Sequence, residues 1–200
     1  MRLITIQMPD DYQFDPTDRS EYDLVRAGTV IVPLSPLRKA RVCGAVALLA
    51  SFAAPLAATL PVAVREAVFT RPPVTTPLGV AAVVLVGAVA AGGAGLGLVA
   101  LQRHLARGPD PTGDAVWSVL AVEDVLTGIG FVTGGLGVAV GLSLLTSGHW
   151  GVDALGGLRR TGIEPYASVL TVPVTPRLAT AVALGTGLAV FAATAVVDGE

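Results

Sequence analysis

The chain has 200 residues, 52% of them hydrophobic and only 14% charged, with a formal net charge of -2 and a mean hydropathy of +0.70. That balance lies outside the range of water-soluble domains and makes lipid the main solvent, while the slight acidic excess leaves no basic surplus to draw the chain to nucleic acid. The single cysteine, Cys43, excludes an intrachain disulfide and a cysteine-based zinc site and reads as an inert packing residue.

The first stretch, residues 1–40, is a polar segment that precedes a transmembrane domain over residues 41–200. It carries the acids Asp10, Asp11, Asp15, Asp18, Glu21 and Asp23, which read as a solvated run, the alternative being a cation or partner site. Residues 3–6 (Leu-Ile-Thr-Ile) and 29–32 (Thr-Val-Ile-Val) are β-branched runs between turn or charged residues, so a short β-hairpin is expected. Two strands are marginal alone in water, and such a hairpin needs a partner or the membrane surface.

Arg38-Lys39-Ala40-Arg41 stands directly before an uncharged apolar run over residues 42–64, a start-of-span pattern that predicts the amino end on the cytoplasmic side. A secretory signal would sit at the extreme N-terminus with a shorter apolar core. Lys39 is the only lysine, and the abundance of Ala, Val and Gly is the usage of a GC-rich prokaryotic genome. Pro55 and Pro61 each remove a backbone donor and free the carbonyls of Ser51 and Ala57. They predict a kink, which is either a hinge or a bend that neighbouring groups satisfy. A Pro- and Thr-rich connection over residues 65–77 then lies outside.

The second span covers residues 78–101. Its Gly92-Gly93-Ala94-Gly95-Leu96-Gly97 is no phosphate loop, because it lacks the required spacing, a following Lys-Ser/Thr and a preceding strand. Close helix packing through Gly93 and Gly97 explains it better. The loop over residues 102–114 returns inside with Arg103, His104 and Arg107, an asymmetry diluted by Arg65, Arg71, Arg159 and Arg160 on the other side. Its Pro/Gly turn ends at Asp114, placed to cap the next helix; Asp110 and Asp114 as a divalent-cation pair is the weaker reading.

The third span covers residues 117–146. An unbroken helix from Trp117 to Trp150 would extend about 50 Å, more than the roughly 40–45 Å of a bilayer with its headgroups, so it must protrude, tilt or break. Protrusion puts Glu123 and Asp124 at the inner interface, whereas deeper placement makes them candidates for proton or cation handling. Gly130 with Gly134, and Gly137 with Gly141, have the small-xxx-small spacing that lets helix backbones approach closely.

Residues 147–176 form the longest and most mixed connection, either a pocket or an interfacial helix, with Trp150 and Tyr166 suited to the headgroup level. His149 and Asp153 would share a helix face if Gly148 and Gly151 did not interrupt it. The last span covers residues 178–197, with Gly185 and Gly187 as packing positions, and an even number of spans returns both termini to the cytoplasmic side.

No H-E-x-x-H, G-x-S-x-G, P-loop or CxxC pattern occurs, and nothing calls for a metal, a cofactor or an enzyme activity. The expected fold is an all-α integral membrane protein, a four-helix transmembrane bundle. Its partners are the lipid bilayer and, through the glycine-rich helices, a protein partner or a second copy. A structural or accessory subunit of a membrane complex fits best. The alternative is a small transporter or channel with Glu123 and Asp124 at its inner mouth, and a membrane enzyme using residues 147–176 ranks last.

Overall fold

The computed structural model describes residues 20–29, 32–167 and 173–199, and among these every regular element is a helix. α1 is Glu21–Thr29. α2, Pro36–Ala58, α4, Gly79–Arg107, α5, Asp114–Trp150, and α7, Pro176–Asp198, are long and apolar enough to cross a membrane. The short helices α3, Val62–Val68, and α6, Val152–Arg160, flank the spans at one end. The protein is an all-α, four-span membrane bundle.

The expected hairpin is absent from the described residues. Thr29 ends α1 instead of opening a strand, residues 30 and 31 are outside the described set, and so is the other expected strand, residues 3–6. The helix start is local: Ser20 accepts a hydrogen bond from the Asp23 backbone N–H at 3.3 Å and donates to its carboxylate at 3.1 Å, and the helix that follows runs as far as Thr29.

α2 begins before the basic cluster. Ser35 accepts from the Arg38 N–H at 3.4 Å and Pro36 occupies the first turn, where its missing N–H costs nothing. The cluster is therefore wound into helix, with Arg38 and Arg41 outward and Lys39 and Ala40 buried. Ahead of Pro55, α2 tightens into a single 3-10 turn at Ala50–Phe52. The Ser51 carbonyl, denied its usual donor by Pro55, accepts from the Thr180 hydroxyl of α7 at 2.9 Å, and the Thr180 oxygen in turn accepts from the Ala54 N–H at 2.9 Å. Pro61 does not bend a continuous helix; it stands at the cap position that starts α3.

α5 runs for 37 residues, about 55 Å at helical rise and longer than a bilayer with headgroups. Its centre, Ile129–Gly135, is wound as π-helix, a wide turn that its glycines tolerate. It closes in a 3-10 turn at Ser147–Trp150, and Gly151 at φ 95° breaks the chain from α6. His149 and Asp153 therefore belong to different elements, and His149 shares a hydrogen bond with Thr59 at 3.1 Å. Gly113, at φ 56°, holds the cap position of α5, and Asp114 is the first residue inside the helix, where its charge favours the helix dipole.

Small residues set the packing. α2, α4 and α7 form a close trio: Gly95 lies against Val190 and Cys43, Gly92 against Thr186, and Gly187 against Leu48. α5 lies on α4, and a Cβ at Gly87 would fall 2.7 Å from the Val138 nitrogen and 3.0 Å from the Gly134 oxygen. The core is accordingly rich in alanine, including Ala47, Ala50, Ala81, Ala88 and Ala183. On the outside of the α4–α5 seam, Val83 and Val86 face Val132, Leu136 and Val140 across an open apolar groove of about 550 Å³.

At the end carrying α3 and α6, the Tyr166 hydroxyl donates to the Leu145 carbonyl at 2.8 Å and accepts from the Gly148 N–H at 3.0 Å. Its ring meets Phe69 edge-on at 5.3 Å. Burial raises its phenol above the ordinary tyrosine range. The backbone N–H groups of Leu78 and Gly79, which begin α4, donate to Val174 and Ala167 at 2.9 Å each, tying this connection to the bundle.

Candidate functional site

Periodicity brings four polar side chains to one place at the opposite end. In α2, Pro36, Lys39, Ala40, Cys43, Gly44 and Ala47 repeat at helical spacing and are buried, so Lys39 points inward because its register does. In α5 the inward register is Val116, Leu120, Glu123 and Thr127. In α1, Tyr22 and Arg26 are one turn apart and share a face. Tyr22 and Val25 rest on Val116 and Leu120 of α5 and Leu105 of α4.

Three of them converge on the carboxylate of the fourth, Glu123. Lys39 Nζ reaches Oε1 at 2.7 Å. Arg26 grips both oxygens, Nη2 to Oε1 at 2.8 Å and Nε to Oε2 at 3.0 Å, and the Tyr22 hydroxyl donates to Oε2 at 2.9 Å. Arg26 Nη2 also donates to the Leu34 carbonyl. The side chains of Glu123 and Lys39 are both 0% exposed and that of Arg26 is 18% exposed. Thr127 donates to the Glu123 carbonyl at 2.7 Å, so its hydroxyl is satisfied within the helix.

Two cations meet one carboxylate, which gives the cluster a net positive charge. The electrostatics follow at its rim. Burial, and then the bond to Glu123, raise the Tyr22 phenol well above the ordinary tyrosine range, and the hydrogen bond to Glu123 raises Arg26 further. Both carboxylate oxygens of Glu123 accept from these donors. None of these bonds reaches Asp124, which is partly exposed beside the cluster. Among the described residues, no group of three or more His, Cys, Asp or Glu side chains is placed to hold a metal ion.

The glycines singled out by spacing are distributed unequally. Gly97 lies against Leu126, Gly130 against Cys43 and Ala94, Gly134 against Ala91, Gly137 against Gly87, and Gly141 against Val84, all contacts inside the bundle. Gly93 stands apart, with no atom within 4 Å of where its Cβ would be, and faces outward. Gly92 and Gly95, its neighbours in register, make the contacts on that helix. Gly185 is likewise open, whereas Gly187 packs on Leu48.

Sequence reasoning by span missed Tyr22, Arg26 and Lys39 as partners of Glu123. The signals were present: Ser20-x-x-Asp23 is a helix-start pattern, and Lys39 lies one turn before Cys43 and two before Ala47 on what becomes the buried stripe. No known protein family, characterised protein or solved structure matches this chain.

Proposed function

We propose that the chain is a structural or accessory subunit of a membrane assembly, with both termini on the cytoplasmic side. The observation that supports it is the occupancy of Glu123: the one buried acid among the described residues is committed to Lys39, Arg26 and Tyr22. A conduit for protons or cations needs an acid with a free face along a polar path. Elsewhere the buried core between the spans is made mainly of alanine, valine and leucine, with glycines at the closest approaches. The basic residues Arg38, Lys39 and Arg41, with Arg103 and Arg107 at the close of α4, share the end of the bundle that holds α1, which favours that end inside.

Reconstitution tests this reading. Vesicles containing the purified chain should carry protons, sodium and potassium no faster than protein-free vesicles, and in native membranes the chain should migrate in a complex larger than the purified protein forms alone. Cation flux that Asp124→Asn abolishes would replace this reading with the transporter alternative.

A further inference from the structure

We propose that α1 is a removable strap. Docked, it seals the Lys39–Glu123 pair from water; lifted, it opens that pair at the end of the bundle where α1 lies.

Three observations carry this. First, α1 is nine residues long, shorter than the roughly 12–15 at which an isolated helix becomes even marginal in water, so its helicity and its docking are one event. Its hold on the bundle is narrow: Tyr22 is its only buried residue, Leu24 on its outer face is 51% exposed, and Glu21 accepts from the Gly113 N–H at 3.2 Å.

Second, the charges allow it to leave. Removing one member of a buried ion pair strands the other, which is strongly unfavourable. Here α1 removes only Arg26 and Tyr22 and leaves Lys39 facing Glu123 at 2.7 Å, a pair that is neutral by itself. The docked state holds the surplus positive charge, and the lifted state returns it to water on a long flexible side chain.

Third, α1 supplies two of the three side chains on the carboxylate, so the water access of the pair changes sharply with one short helix. A two-state element of this kind is what a partner or a modification of the amino-terminal segment could bias. The strap works in the same way whatever the bundle assembles with.

The sequence contains its own probe, because Lys39 is the only lysine. The full-length protein in phospholipid nanodiscs is treated with an amine-acetylating reagent, and modification of Lys39 is followed by mass spectrometry against the detergent-unfolded chain. Two variants separate the strap from the chemistry of the cluster. Leu24→Pro breaks α1 from its exposed face and leaves every cluster residue in place, and Tyr22→Phe with Arg26→Gln removes the grip but keeps the helix. Leu24→Ala is the control.

Lys39 in the parent protein should react ~100-fold slower than in the unfolded chain, and both variants should raise its rate at least ~10-fold while the bundle keeps its helical signal, as expected for local opening of a small unit. Leu24→Ala should match the parent. A parent rate equal to that of the unfolded chain, or a Leu24→Pro variant as protected as the parent, overturns the proposal. Either result leaves the subunit reading standing, and cation flux in the vesicle assay would leave the strap standing.

Discussion

Glu123 is the residue on which the amino-terminal end of the bundle converges, and its substitution should be the most damaging single change there. Glu123→Gln leaves Lys39 and Arg26 facing each other without a counter-charge. The loss expected for stripping a buried pair of one partner is about 3–5 kcal/mol, toward the lower end here because water reaches part of Arg26. Unfolding in mixed detergent micelles should show it, and Glu123→Leu with Lys39→Met should recover part of the loss, because the two fully buried charges are then gone and only Arg26, which water partly reaches, is left without its carboxylate. Tyr22 adds a dependence on pH. Its phenol is held above the ordinary range, so the docked state is favoured fully below about pH 10 and loses ground as the pH rises beyond it. Absorbance titration should find Tyr22 and Tyr166 ionising later than a free tyrosine, and Phe at position 22 should remove one of the delayed steps. The acid itself is legible in the sequence because charge is rare near a span. Its partners are not, because Tyr22 and Arg26 come from a segment whose β-branched run at residues 29–32 outweighs a short capping signal.

At the scale of elements, the close approach of α4 and α5 separates glycines that look alike in sequence. Gly87→Ala puts a methyl group against the backbone of Val138 and Gly134, where nothing flexible can yield, and should destabilise by about 1–3 kcal/mol. Gly134→Leu should be worse, since even a Cβ there meets the Ala91 backbone. Gly93→Ala enters open space and should be neutral or stabilising by up to about 1 kcal/mol, alanine being the better helix former. Thermal unfolding of the three variants side by side checks the order. Thr180→Val tests the bend in α2: the Ser51 carbonyl and the Ala54 N–H both lose their partner, a loss of about 1–3 kcal/mol, and Pro55→Ala in the same background should restore part of it by returning a donor to Ser51. Small-xxx-small spacing names α5 glycines that lie beside Cys43, Ala91, Ala94, Gly87 and Val84. It cannot choose among Gly92, Gly93 and Gly95 on α4, because which of adjacent positions faces inward is decided by three neighbours at once.

For the molecule as a whole, the number of spans is legible because each long apolar run lacks charge, and the ends of the spans are less so because caps such as Ser35-Pro36 lie outside the apolar run. The even count places the beginning of α2 and the close of α7 together, where Arg41 pairs with Asp198. The exposed Trp150 lies at the far end of α5. In a Cys43→Ser background, Asp198→Cys and Trp150→Cys should therefore react with an impermeant thiol reagent from opposite sides of sealed vesicles. Reaction of both from one side would refute the four-span topology.

The convergence on Glu123 also imposes an order on biosynthesis. Lys39 and Glu123 are separated by 84 positions in the chain, which at about 5–20 residues per second amounts to roughly 4–17 s of translation. Until Glu123 has been made, the first span lacks the carboxylate that faces Lys39 in the folded bundle, and burying an ammonium without its partner is costly. A ribosome-stalled chain ending ahead of Glu123 should thus leave Lys39 open to amine reagents, and one long enough to include the third span should protect it.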